Sequence, residues 1–287
     1  MKAAELDYEL PPELIAQTPL ERRDSSRLLV HDRATGETRH RRFDQLAGEV
    51  PAGTLVVVND TRVLPARLRL ERPGGGVAEV LLLERLGPNG TWEGLARRSR
   101  KLRPGQRLGP VELIEPLADP ERYQTVYAAQ EGSAAAPTAG LHFTPELLAR
   151  FDVERVTLHV GLETFRPLAV DVVEAHPLHS ERYEVSEAAW AQIQSAERVL
   201  AVGTTTVRVL ESLARGAPLS GRTDLFVTPG FEVRRVDALV TNFHLPRSTL
   251  LALVMAFAGV EETRGLYRLA IEERYRFYSF GDAMLLL

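Results

Sequence analysis

The sequence predicts an α/β fold, a three-layer α/β domain carrying an inserted antiparallel β-barrel domain. Three observations predict it. Apolar strand-length runs alternate with helix-length segments through the C-terminal half, a pattern that means a sheet covered by helices. Between about residues 63 and 127 the pattern changes to short strand-like runs split by Gly-rich and Pro-Asn-Gly turns, as in a small barrel or meander. The run at 55–58 lies before that region yet reads as a buried strand of the main sheet. The α/β domain is therefore discontinuous, 1–62 and 128–287, with 63–127 as the insertion.

The elements follow in order. "SSRLLVHDRATGETRHRRF" is a hairpin with a Thr35-Gly36 turn. "GTLVVVND" is a continuous apolar run ending in polar residues, hence a buried strand. "VERVTLHVG" is a strand, and "SEAAWAQIQSAE" a helix with Ser186 as its N-cap. "RVLAVG" and "TTTVRVLESLARG" are a strand and a helix closed by Gly216. "VDALVTNF" and "STLLALVMAFAG" repeat the pair, with Ser248 capping the helix and Gly259 beyond its end. "TRGLYRLAIEERYRF" is a terminal helix, and "AMLLL" a last strand.

Composition narrows the function classes. The 287 residues carry 35 basic and 39 acidic side chains, net −4, so no overall attraction draws the chain to nucleic acid, although local patches can. With no cysteine, disulfides, thiol catalysis and thiolate metal sites are all excluded. Acidic residues interrupt any apolar core near the N-terminus, so no signal-peptide pattern is present. The apolar run 250–258 is too short to span a bilayer. The expectation is a soluble, cytoplasmic protein with no membrane contact. Lys2 and Lys101 are the only lysines; the remaining basic residues are Arg, which suits planar contacts to phosphate or reflects biased codon usage.

Candidate site residues cluster where strands end. Asn59, Asp60, Thr61 and Arg62 follow the 55–58 strand, and ligands of α/β sheets sit at the carboxyl ends of strands. A polar turn with an Asp cap is the plain alternative. Asn242 and His244 sit between a strand and a helix, at the same kind of corner. Thr204, Thr205 and Thr206 open a helix, whose N-terminal amides attract a carboxylate or phosphate; ordinary Thr capping is the alternative. Arg208 and Glu211 lie three apart on that helix, as a surface pair or facing a ligand. "AAAPTAGLHFT" brings His142 behind small residues that allow close approach to the backbone, or forms a tight loop with a structural histidine. "HPLHSE" holds His176, His179 and Glu181; Pro177 argues against helical metal-ligand spacing, so a proton-moving His179–Glu181 pair is expected rather than a metal site. "ARRSRKLRPGQR" contains Arg97, Arg98, Arg100, Lys101, Arg103 and Arg107 with no acid between, either a phosphate-backbone contact or a solvated loop.

Taken together, "LDYELPPELIAQ", "RDSSRLLV", "LVVVNDTRVLPARL", "AAAPTAGLHFT", "HPLHSE", "AVGTTTVRVLES", "TDLFVTPGF", "VDALVTNFHLPRSTLLALVMAFAG" and "YRFYSFGDAML" stand in one order along the chain. In this the sequence resembles the S-adenosylmethionine:tRNA ribosyltransferase-isomerase family of queuosine biosynthesis, nearly end to end. The chain is tens of residues shorter than typical members, the loss falling between about Gly109 and Tyr123, and Glu163 stands where members usually have Gly.

The resemblance implies a transferase that moves the ribosyl part of S-adenosylmethionine, not its methyl. The acceptor is 7-aminomethyl-7-deazaguanine at the wobble position of tRNA with a GUN anticodon. The product is epoxyqueuosine-tRNA, with adenine and methionine released. S-adenosylmethionine is then a co-substrate and no cofactor is required; a monomer is expected.

Such chemistry needs a base for the acidified 5′ C–H, an acid for adenine and dipoles for a developing oxyanion. His179 with Glu181 is the expected proton-transfer pair, with His142 and His244 as the other candidates. Asn242 and His244 would hold adenosine or the migrating ribose, and the Thr204 to Thr206 turn the methionine carboxylate. Two rivals remain at this level. An S-adenosylmethionine-dependent tRNA methyltransferase would show a Gly-rich loop after its first strand. A non-catalytic RNA-binding module would need no histidines at strand ends.

Overall fold

The computed structural model describes residues 1–64, 67–71, 77–85, 92–97, 111–113, 120–161, 168, 170–176 and 180–287. Strand β1 (Arg27–His31) and β2 (Thr38–Arg42) form the expected hairpin. A short helix α1 (Leu46–Glu49) leads into β3 (Thr54–Asn59). β4 (Thr61–Val63) then leaves for the insertion, made of β5 (Arg67–Glu71), β6 (Val77–Arg85), β7 (Trp92–Arg97) and β8 (Val111–Leu113). The chain returns through β9 (Gln130–Ser133), which pairs in parallel with β4 and stitches the two ends of the insertion together. The α/β part continues with α2 (Pro145–Leu148), β10 (Asp152–Leu158), β11 (Glu181–Glu184), α3 (Glu187–Ser195), β12 (Arg198–Val202) and α4 (Thr204–Leu213). It closes with β13 (Ser220–Thr223), β14 (Ala238–Asn242), α5 (Thr249–Ala258), α6 (Val260–Glu272) and β15 (Ala283–Leu286).

Nine strands make one mixed sheet in the order β13-β11-β10-β3-β12-β14-β15-β1-β2. Its central strands read as continuous apolar runs because both faces are buried. Val57, Val199 and Ala201 face a core shared with α3 to α6, whereas Val56, Val58, Leu200 and Val202 face a second core with Phe43, Leu46, Phe143 and Leu147. Alternate residues of one strand thus serve two layers.

Strand direction decides where the site lies. β10, β3, β12 and β14 are parallel, so their carboxyl ends share one edge. β15 runs antiparallel to β14 and parallel to β1, so the amino ends of β15 and β1 reach that same edge.

Two expectations need adjustment, and one strand was not expected. The inserted barrel is described only as an open antiparallel sheet in the order β7-β6-β5-β8; among the described residues no pairing closes it. The terminal helix begins at Val260, directly after Gly259, and stops at Glu272. Gly259 takes φ +94, so it both ends α5 and starts α6 without a Cβ clash. Strand β13, "SGRT", has no apolar alternation and takes its conformation from pairing with β11. Among the described residues no helix is long and apolar enough to cross a membrane.

Candidate active site

Asn59 closes the gap between β3 and β10 at the functional edge. Its Nδ2 donates to the carbonyl of Leu158 (3.0 Å) and to Thr205 Oγ1 (3.2 Å), and its Oδ1 accepts from the amides of Leu158 (3.0 Å) and Thr61 (3.2 Å). The amide is fully used, so Asn59 builds the edge. Asp60 accepts from Thr157 Oγ1 (2.6 Å), and burial raises its pKa. Thr61 Oγ1 meets His159 Nδ1 at 2.9 Å. Arg62 pairs with Glu121.

Between β12 and α4 the chain turns at Gly203, φ +88, a conformation that a side chain resists. Thr206 Oγ1 donates back to the carbonyl of Val202 (2.8 Å), and Thr205 Oγ1 is taken by Asn59. Gly203, as N-cap, has no side chain to cap the helix. The three threonines therefore sit buried at the edge, and among the described residues no side chain caps the first-turn amides.

Arg208 and Glu211 do not form a pair with each other. Arg208 turns to Glu181 and ion-pairs with it, both side chains being buried. It also donates to the carbonyls of Leu225 (3.0 Å) and Thr223 (3.1 Å). Glu181 Oε1 accepts from the amide of Gly161 (2.8 Å). The carboxylate expected to serve a histidine thus also holds a guanidinium. Glu211, fully buried, accepts from the amides of Arg234 (2.9 Å), Arg235 (2.9 Å) and Val236 (3.1 Å) and from Arg215 Nη1 (2.6 Å). It orders the chain that enters β14.

The centre of the edge joins two motifs a hundred residues apart. Asn242 Nδ2 lies 3.2 Å from His142 Nε2 and 3.2 Å from the carbonyl of Tyr278. His142 Nδ1 lies 2.8 Å from Ser26 Oγ, and the imidazole stacks on Phe43. Burial, then the charges of Arg276 and Arg23, push the pKa of His142 down to about 3, so the ring is neutral. The turn that delivers it passes Tyr127 so closely that a Cβ on Gly140 would lie 1.9 Å from the phenol oxygen. His244 bonds Thr241 Oγ1 through Nε2 (2.8 Å), and burial lowers its pKa to about 3. Its backbone is clamped: Tyr8 donates to its carbonyl and its amide donates to Tyr267 (3.0 Å).

Next to His142 a cleft opens, lined among others by Arg23, Ser26, Arg122, His142, Arg276 and Phe280. Sequence reasoning assigned no role to Ser26, Arg23, Arg122 or Arg276. "RDSSRLLV" and "YRFYSFGDAML" carry three of them, and only the sheet order reveals that these motifs meet. His179, Arg98, Arg100, Lys101, Arg103 and Arg107 lie outside the described residues, and Arg97 ends β7. Among the described residues no group of three His, Asp or Glu side chains could hold a metal ion.

This edge combines neutral imidazoles, amides and guanidiniums, a set suited to binding a polar, anionic substrate and to moving protons. Comparison with known proteins identifies the lineage. The sequence profile of a family described as queuosine biosynthesis protein matches residues 3–118 and 107–286. The chain belongs to this family. A curated relative from Rubrobacter xylanophilus, named S-adenosylmethionine:tRNA ribosyltransferase-isomerase, is 50% identical over an alignment of 329 positions that takes in 100% of this chain and 98% of the relative. One of the same name from Carboxydothermus hydrogenoformans is 47% identical, with 100% of both chains covered. A crystal structure of S-adenosylmethionine tRNA ribosyltransferase from Thermotoga maritima superposes with a TM-score of 0.63 at 40% identity, covering 99% of this chain and 100% of that one. Within the family frame, the strand-edge motifs are the candidate site.

Proposed function

We propose that the chain is an S-adenosylmethionine:tRNA ribosyltransferase-isomerase. The observation that carries this is kinship over the whole length: relatives of that name align with 100% of the chain at 47–50% identity. The acceptor is 7-aminomethyl-7-deazaguanine at the wobble position of a tRNA with a GUN anticodon, and the site of action is the cytoplasm. S-adenosylmethionine is consumed as a co-substrate, and the chemistry calls for no further cofactor.

The steps follow from the sulfonium. Its positive charge acidifies the 5′ C–H, and a base removes that proton. The ribosyl group rearranges while methionine and adenine depart, adenine as the better leaving group once protonated. The acceptor amine forms the new C–N bond and gives up a proton. His179 is the proposed base. Glu181 supports it through position, because its charge is balanced by Arg208. Asn242 and His244 are the proposed contacts to adenosine or the migrating ribose; Asn242 Oδ1 is buried without a hydrogen-bond partner and supplies an acceptor there. The amides around Thr204 face the methionine carboxylate, where the positive helix end favours it. The basic segment from Arg97 to Arg103 follows the tRNA backbone, and the insertion is proposed to complete a barrel that presents it.

The methyltransferase alternative is disfavoured on this chain's own residues. β3 ends at Asn59 and Asp60 leads straight into β4, with no glycine loop to admit a nucleotide. The test is a product analysis. Adenine and methionine appear together in proportion to modified tRNA if the assignment holds. S-adenosylhomocysteine as the nucleoside product sinks it.

A further inference from the structure

The hydrogen bonds around His142 fix the direction of a proton. Tyr278 offers Asn242 a carbonyl, which only accepts, so the Asn242 nitrogen faces it. The same nitrogen reaches His142 Nε2, which must then accept. A neutral imidazole with Nε2 as acceptor carries its hydrogen on Nδ1, and donates it to Ser26 Oγ. Ser26 has spent a lone pair and keeps its own hydrogen. Among the described residues its hydroxyl has no other hydrogen-bond partner, although Ser26 is 1% exposed and lines the cleft.

Three guanidiniums share that cleft. Arg23 is held by the carbonyls of Gln124 (2.8 Å) and Glu121 (2.8 Å), and Arg122 by that of Leu20. Arg276 lines the cleft while ion-paired with buried Asp282 (3.6 Å). Among the described residues no acidic side chain lines the cleft. An α-amino acid would need an acceptor for its ammonium, and the described lining offers no carboxylate. A phosphate needs only donors and positive charge.

We propose that Ser26, with Arg23, Arg122 and Arg276, forms a pocket for a backbone phosphate of tRNA, and that Asn242 and His142 are positioning residues that turn the Ser26 hydroxyl hydrogen into it. The proposal rests on tRNA being the substrate, and it places a phosphate contact on the sheet edge, on residues other than those of the basic segment.

The experiment is equilibrium binding of a tRNA transcript to the full chain across a salt series, without S-adenosylmethionine. Adenine release and S-adenosylmethionine affinity are measured alongside. Ser26→Ala weakens tRNA binding by about tenfold, the usual worth of a bond to a charged group, with an unchanged salt slope. Arg122→Gln, a change on the half-exposed rim, lowers that slope by about one. Asn242→Asp puts an acceptor against Nε2, reverses the tautomer and turns the Ser26 hydrogen back to Nδ1. Its tRNA binding falls as in Ser26→Ala, and the double variant Ser26→Ala/Asn242→Asp falls no further. A merely structural Asn242 would give additive losses, which overturns the relay. Full tRNA affinity in Ser26→Ala overturns the pocket, as does a loss confined to S-adenosylmethionine, which would assign the cleft to the methionine carboxylate. In both cases, adenine release by the unaltered chain leaves the functional reading standing. An unaltered chain that binds no tRNA removes both.

Discussion

The Glu181–Arg208 pair is buried on both sides, so breaking it strands a charge. Glu181→Gln is expected to lower stability by about 3 kcal/mol or more, the usual cost of removing one partner of a buried pair. Denaturant titration checks this, and an unchanged midpoint would show that the pair is not closed in solution. His179→Ala is expected to leave stability alone and cut turnover by roughly 10²–10⁴, the worth of a general base. Near-normal turnover would move the base elsewhere. His142 and His244 predict the effect of acid. Their folded pKa values of about 3 lie below the ordinary 6.5, so between these limits the unfolded chain binds protons that the folded chain does not. Their contribution is full above pH 6.5 and is lost as pH falls towards 3. The urea midpoint therefore drops between pH 7 and pH 5, and His244→Asn makes that drop shallower. Identical pH slopes for the two proteins would contradict the burial argument. From the sequence, His244 was legible as a candidate because it follows an apolar run, His142 because small residues precede it, and His179 and Glu181 because they stand close together in "HPLHSE". Their partners were not, since Ser26 and Asn242 meet His142 only through the sheet order.

The elements that carry the site are short turns held by buried acceptors. Glu211 in α4 gathers the amides of Arg234, Arg235 and Val236, and so fixes how the chain enters β14 and presents Asn242 and His244. Glu211→Ala leaves these amides and Arg215 without their acceptor. The expected outcome is a loss of about 3 kcal/mol or more in stability, together with weaker S-adenosylmethionine binding in the fraction that stays folded. Calorimetric binding at low temperature checks the second part; full affinity would mean that the β14 entry is fixed by the sheet alone. At this scale the sequence was most readable where burial is two-sided. β3, β12, β14 and α5 are near-continuous apolar runs, and each forms where the pattern places it. β11 and β13 were harder. They lie towards the far edge, where "SGRT" pairs with "ERYE" and "ERYE" in turn with β10, and neither carries an apolar alternation in its sequence.

Across the whole molecule, a net charge of −4 must coexist with binding a polyanion, so positive charge has to be concentrated locally. Replacing Arg97, Arg98 and Arg100 together by Ala is expected to weaken tRNA binding and lower its salt slope by up to about three, with S-adenosylmethionine affinity little changed. An unaltered slope would place that segment away from tRNA. The place of the 55–58 run in the main sheet was legible because it is a continuous apolar run, and β3 does lie between β10 and β12. Closure of the insertion was not, because turn spacing fixes strand number and says little about which edges meet. The decisive property of the molecule is which part of S-adenosylmethionine it transfers. Two preparations of the substrate, one labelled in the ribose carbons and one in the methyl group, are incubated with the chain and precursor tRNA. The account predicts that ribose label enters tRNA while methyl label leaves with methionine. Methyl label in tRNA, with ribose label left in S-adenosylhomocysteine, would contradict it.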